Sequence, residues 1–246
     1  MKKSLILLAF ATSLGLGTAF AQFGPQPGTG AFSDAQAKLF GDNTAFSATV
    51  EMRVKTSRNE MNIPGKLAFD SGKARFEINM ADMSNLNPQQ IQQMKSMGMD
   101  QLITIARPDQ QNAYMIYPGL QSYAVVALKD QNSAATNDFK MDVTELGNET
   151  VDGRSCVKNK VVVTDSKGVA HESTVWNATD LKKFPVKIVT SQNGNDTTML
   201  FSNVKLAKPD AAQFEPPAAY TKYDNVQTLM QEQMMKKMGG GMGMPH

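Results

Sequence analysis

The 246-residue chain carries 25 basic and 23 acidic side chains, 17 methionines, two histidines and a single cysteine. A balance this close to neutral offers no electrostatic footprint for nucleic acid or an anionic membrane. One cysteine, Cys156, cannot form an internal disulfide, and one cysteine with two histidines falls short of the clustered ligands of a zinc site.

Lys2 and Lys3, an apolar run from Leu5 to about Leu16, and Ala19-Phe20-Ala21 before Gln22 have the three-part layout of a cleavable secretory signal over residues 1–21. Removing that segment takes away two lysines and no acids, which leaves 23 basic against 23 acidic groups. The run is shorter than the ~18 apolar residues that a membrane-spanning helix needs, and no other stretch approaches that length, so export without a transmembrane anchor is expected. Gln22 rather than a cysteine follows the cleavage point, so no acyl anchor is expected either. Cys156 reads as a buried, inert thiol.

Residues 22–32 are rich in Gly and Pro and read as a flexible leader. Ser33 and Gln36 form a capping-box pattern ahead of Leu39 and Phe40, which predicts a short helix at the start of a single β domain over 33–223. Three strands follow with strict period-two alternation: Phe46, Ala48, Val50, Met52 and Val54; Met61, Ile63, Leu67 and Phe69; Ala74, Phe76, Ile78 and Met80. Alternation of this kind buries one face of each strand and wets the other, as in an antiparallel sheet. Asp70-Ser71-Gly72-Lys73 supplies the reversal between the second and third strands. Pro64 lacks a ladder donor, so the second strand carries a bulge or a locally free edge there.

After Met80 the period changes. Asn87 as cap, Pro88 at the first helical position, Gln90 at the third, Ile91, Met94 and Met97 at three-residue spacing and Gly98 at the end predict a helix with one narrow apolar stripe. Further strands are predicted near 101–106, 112–117, 121–128, 140–149, 154–164, 170–177, 185–191 and 197–206, separated by turn signals at Pro118-Gly119, Asp152-Gly153, Lys167-Gly168 and Asn193-Gly194. From Lys208 to Tyr223 the chain reads as an extended strap that docks through Phe214, Tyr220 and Tyr223. Asp224 opens an amphipathic helix over 224–238, with Met230, Met234, Met238 and Val226 as its docking stripe, and the Met- and Gly-rich tail 239–246 is expected to be disordered.

Three stretches carry a resemblance: ELGNETVDGRSC from Glu145, STVWNATDLKKFPVKI through Trp176, and FSNVKLAKPDAAQFEPPAAY leading to Pro209, Phe214 and Tyr220. They resemble the DUF4412 family of exported bacterial proteins, which is similar in fold to the LolA/LolB lipoprotein carriers. The resemblance implies a mainly β fold with a few helices: a strongly curved antiparallel sheet, an unclosed LolA-like β-barrel, lidded by short helices. It carries over no catalytic or binding residue, and it implies a periplasmic location.

Chemistry by side chains is poorly supplied. His171 lies in a polar strand segment without a nucleophile motif, and His246 lies at the terminus, so no catalytic residue and no cofactor is assigned. Methionine is the unusual excess. Met80, Met83, Ile91, Met94 and Met97 are the candidate ligand-binding residues, because flexible thioethers suit a lid over a varied apolar cargo. Met234, Met238, Met242, Met244 and His246 are the candidate soft-metal ligands, since thioether and imidazole donors suit Cu(I). The expected function is non-enzymatic, extracytoplasmic carriage or sensing of an acyl-chain or lipoprotein-like apolar ligand. The alternatives are a structural or interaction module with an envelope-protein partner, and copper binding by the tail.

Overall fold

The computed structural model describes residues 38–56, 59–84, 86–128, 140–164, 168, 170–192 and 194–239. The secretory segment, the leader, most of the first expected helix and the tail beyond Gly239 lie outside them. Among the described residues twelve strands form one sheet. They are β1 (Ala45–Lys55), β2 (Glu60–Asp70), β3 (Lys73–Asn79), β4 (Gln101–Arg107), β5 (Asn112–Tyr117), β6 (Ser122–Ala127), β7 (Lys140–Val151), β8 (Arg154–Thr164), β9 (Ala170–Ala178), β10 (Pro185–Gln192), β11 (Asn195–Lys205) and β12 (Thr221–Tyr223). Among the described residues the α-helices of a full turn or more are α1 (Pro88–Met97) and α2 (Val226–Gly239).

The spatial order is β12-β6-β5-β4-β3-β2-β1-β11-β10-β9-β8-β7. Every pair is antiparallel except β12 with β6. Two meanders, β1–β6 and β7–β11, are therefore joined by the β1–β11 seam, and among the described residues β7 and β12 remain as free edges: the barrel does not close. Positive backbone φ at Ser71 and Gly72, and at Asp152 and Gly153, makes the tight hairpin reversals that match the right-handed twist of flanking strands.

The alternation in β1 holds throughout: Phe46, Ala48, Val50, Met52 and Val54 are all buried on the inner face. Phe46 reaches Phe184, just before β10, at a ring-centroid distance of 4.9 Å although β11 lies between the two strands. A flat sheet would hold β1 and β10 about 10 Å apart, so the sheet coils toward this face. Pro64 leaves the β1–β2 register intact opposite Glu51, which rules out the bulge. The free edge is what occurs: β3 pairing stops at Gly65, and beyond Pro64 the β2 backbone bonds instead to Ser84, with Asn62 N–H donating to Ser84 Oγ at 3.0 Å.

In β2 and β4 the alternation breaks down because both faces are covered. The strap lays Phe214 on the outer face against Ala68, Ile105 and Ile116, with Tyr114, Tyr123 and Tyr220 at the margins. Arg107 holds it there, its guanidinium donating to the Phe214 carbonyl at 3.2 Å and pairing with Glu215 and Asp109. Tyr223 continues the strap as β12 beside β6.

The helix after the strap is capped by Asn225, whose Oδ1 accepts from Thr228 N–H at 2.8 Å, one residue later than expected. Its docking stripe also differs. Val226, Leu229 and Met230 pack on Tyr117, Ala124 and Tyr223, and Gln233 donates to Ser122 Oγ at 3.2 Å, whereas Met234 is 61% exposed. The stripe thus runs through 226, 229, 230 and 233. The reason is the partner surface: small Ala124 and polar Ser122 on β6 accept Leu229 and Gln233, and Met234 is turned off that face.

Candidate functional site

The inner face is the place where the sheet gathers its apolar side chains. At one end Phe40, Phe46, Phe69, Phe184 and Phe201 interlock, with Phe40 and Phe46 at 4.8 Å and Phe184 edge-on to Phe201 at 5.7 Å. Tilted and edge-to-face arrangements at such distances are those that aromatic quadrupoles favour. Toward the other end the lining becomes aliphatic, with Met52, Ile63, Val163, Val175, Ile188 and Met199 all buried.

Register extends this face to the free edge. Val161 and Val163 on β8 stand opposite Val143 and Met141 on β7, and cross-strand partners share a face. The two β8 valines are buried, but Met141 is 41% and Val143 53% exposed. The apolar lining therefore runs on past its own core to an uncovered rim. Sequence reasoning had no means of singling out this pair, because Lys140, Asp142, Thr144 and Glu145 make the stretch read as an ordinary polar edge strand.

The five expected ligand-binding residues divide into two groups. Met83 is buried in the inner-face core and Met80 is packed against it, carried there by a single 3-10 turn, Met80–Asp82, that is stitched to β2 through Ser84. Ile91, Met94 and Met97 lie together as the half-buried stripe of α1 but enter none of the three core clusters. The helix itself forms as expected, with a reciprocal capping box in which Gln90 N–H donates to Asn87 Oδ1 and Asn87 N–H to Gln90 Oε1, and with Gly98 in the left-handed conformation at its end. It rests on the turn Pro118–Leu120 at the rim of the sheet.

Of the expected soft-metal ligands, Met234 is exposed on α2, while Met242, Met244 and His246 and the Met238 side chain lie outside what the structure describes. Cys156 is buried on β8, and that burial pushes its thiol pKa up. His171 is exposed on β9 opposite Val163, seven residues along β8 from Cys156, a separation of about 23 Å at the usual rise of a strand. No Cys-His couple can form across that distance. Among the described residues no helix is long and apolar enough to cross a membrane.

No curated protein matches the chain. Among solved structures, lipoprotein LppX of Mycobacterium tuberculosis aligns over 70% of this chain and 93% of its own at 13% identity and a TM-score of 0.40. A LolA-superfamily protein from Nitrosomonas europaea aligns over 74% and 94% at 11% identity and 0.38, and the Pseudomonas aeruginosa MucA/MucB complex over 76% and 62% at 14% and 0.39. At these values the likeness is one of outline, and no chemistry follows from it. The family described as "Domain of unknown function (DUF4412)" matches residues 48–184, which reaches from β1 to the residue before β10 and shares 145–156 and 173–184 with the stretches that carry the resemblance. More than half of the sequence lies within that match, and the chain belongs to the DUF4412 family.

Proposed function

We propose that the protein is an extracytoplasmic, non-enzymatic binding protein for an acyl chain or similar apolar ligand, which lies along the inner face where that face runs out to β7. The observation that carries this reading is the exposure of Met141 and Val143 on the same face as the buried Val161 and Val163. An apolar lining that continues beyond its core leaves surface that a ligand can take from water, at roughly 25 cal/mol per Å² before the costs of association. The methionines at 80, 83, 94 and 97 supply adaptable contacts for chains of differing shape. The secretory pattern at the start of the sequence supports a site of action outside the cytoplasm, with the periplasm as the compartment.

A second reading rests on β7 itself. It is a 12-residue strand that, among the described residues, pairs only on its β8 side, and such an edge accepts an extended segment of an envelope protein by strand addition. Native mass spectrometry of the protein purified gently from the cell envelope separates the two. A bound mass of lipid size supports the carrier. A clean mass that gains nothing from added palmitate overturns it and leaves the interaction module.

A further inference from the structure

The outer face carries a groove of about 260 Å³ at the β1–β11 seam, lined among others by Ser47, Thr49, Lys66, Arg75, Asn203 and Lys205. It lies on the opposite side of the sheet from the apolar lining: Ser47 and Thr49 alternate with the inward-facing Phe46, Ala48 and Val50. Three cations line it against one carboxylate, Glu77, in a chain whose total charge is close to zero. Glu77 is already engaged, accepting from Arg75 Nε at 2.6 Å. Among the described residues no carboxylate lies within ion-pair distance of Lys66 or Lys205, although Lys66 stands directly opposite Glu77 in the ladder.

The backbone builds this arrangement at a cost. Between Ser47 and Thr49 the register slips by one residue in β11, and Asn203 absorbs the slip at a φ of +51°. A bulge of this kind re-aims the side chains that follow it, and a non-glycine residue in the left-handed region is strained. Its consequence here is that Lys205 pairs with Ser47 and faces the groove, while Asn203 Nδ2 donates to Thr49 Oγ1 at 3.4 Å, a bond in which the threonine hydroxyl accepts and does not use its own proton. The strap closes one side: the Gln213 carbonyl accepts from Arg75 at 3.0 Å, which fixes the guanidinium beside the groove.

A set of two unneutralised ammonium groups, an oriented guanidinium and hydroxyl donors is chemically matched to an oxyanion. We infer that this groove binds a phosphate-type oxyanion, independently of any apolar cargo on the inner face. The same chemistry is offered by free inorganic phosphate and by the phosphodiester of an anionic lipid headgroup, and the groove's volume admits a group of that size.

The test uses the purified full chain and its doubly substituted form, Lys66→Ala with Lys205→Ala, both exposed positions whose truncation leaves the fold in place. Titration with inorganic phosphate followed by backbone amide NMR is expected to shift Ser47, Thr49 and Asn203, with affinity lowered at least tenfold in the double variant. Co-sedimentation with phosphatidylglycerol and phosphatidylcholine vesicles forms the second arm. Loss of phosphatidylglycerol binding in the variant, without groove shifts from free phosphate, assigns the headgroup as the source. Shifts spread evenly over the surface, or equal binding of both probes by the parent and the double variant, overturn the inference.

Discussion

Gly98 and Gly119 meet backbone to backbone: a Cβ on Gly119 would come within 2.7 Å of the Gly98 carbonyl oxygen, and one on Gly98 within 2.6 Å of that of Gly119. This contact seats the end of α1 on the turn between β5 and β6. Gly119 has no left-handed φ, so Gly119→Ala tests the contact by bulk alone. Overpacking of this kind costs about 1–3 kcal/mol, and the expected result is faster amide exchange across residues 88–97 with a lowered denaturation midpoint. Unchanged exchange in α1 would show that the helix is held by other contacts.

Substitution at the strap should separate packing from charge. Phe214 is fully buried beneath the strap, and Phe214→Ala is expected to cost about 3–5 kcal/mol in chemical denaturation. The salt bridge from Arg107 to the half-exposed Asp109 is screened by solvent, and Asp109→Asn is expected to cost under about 1 kcal/mol. Its dependence on pH has a definite sign. Hydrogen bonding to Arg107 holds the Asp109 carboxyl below its ordinary value of 3.8, so the contribution is complete above that value and is lost as pH falls through the lower folded one. The stability gap between the parent and Asp109→Asn should therefore close only in strong acid.

The docking of α2 predicts opposite outcomes for neighbouring side chains. Leu229→Ala should cost about 2–5 kcal/mol or release the helix, whereas Met234→Ala should stay within about 0.5 kcal/mol of the parent. Burial near the helix pushes the Tyr117 phenol up to about 12. A raised acid of this kind stabilises the fold below its unfolded value of 10.0, and that stability is lost as pH rises toward 12. Spectroscopic titration of tyrosine ionisation after deletion of residues 226–239 should return Tyr117 toward its ordinary range.

Two charge insertions locate the apolar ligand. Val143→Asp at the rim and Met94→Glu on the α1 stripe are each expected to reduce retention of palmitate at least tenfold while leaving thermal unfolding nearly unchanged. Loss at the rim with full retention in Met94→Glu would confine the ligand to the β7 side and remove α1 from the site.

The thiol of Cys156 supplies a further check. Burial and the raised pKa predict that it reacts with a disulfide reagent only after denaturation; prompt labelling of the native protein at pH 8 would contradict that placement.

Sequence made the strands legible because their pattern is local. Phe46 to Val54, the Asp152-Gly153 turn and the Asn87–Gly98 helix each contain their own instructions within a dozen residues. What depended on distant partners was not legible. Met230-Met234-Met238 and Val226-Leu229-Gln233 share the periodicity of a helix face, and only the β6 surface decides between them. Likewise the groove unites Lys66 and Lys205 through a seam between strands from opposite ends of the domain, and the bulge that aims Lys205 has no sequence mark because Asn203 stands where a glycine would have advertised it.

That seam also governs the order in which the molecule can assemble. The residues it pairs, from Lys55 with Asp196 to Ser47 with Lys205, are separated by nearly the whole domain, whereas within each meander consecutive strands are neighbours, with α1 between β3 and β4 as the longest excursion of the first. The hairpins form early, and the slow step is closure of the long loop that brings β11 to β1. Until Lys205 has emerged, β1 is paired with β2 alone and its other side stands as a bare 11-residue edge, and a bare edge recruits strands from other chains. The interval between completion of β6 and arrival of β11 is thus the period in which a nascent chain is open to aggregation, and it is the arrival of β11 that ends it.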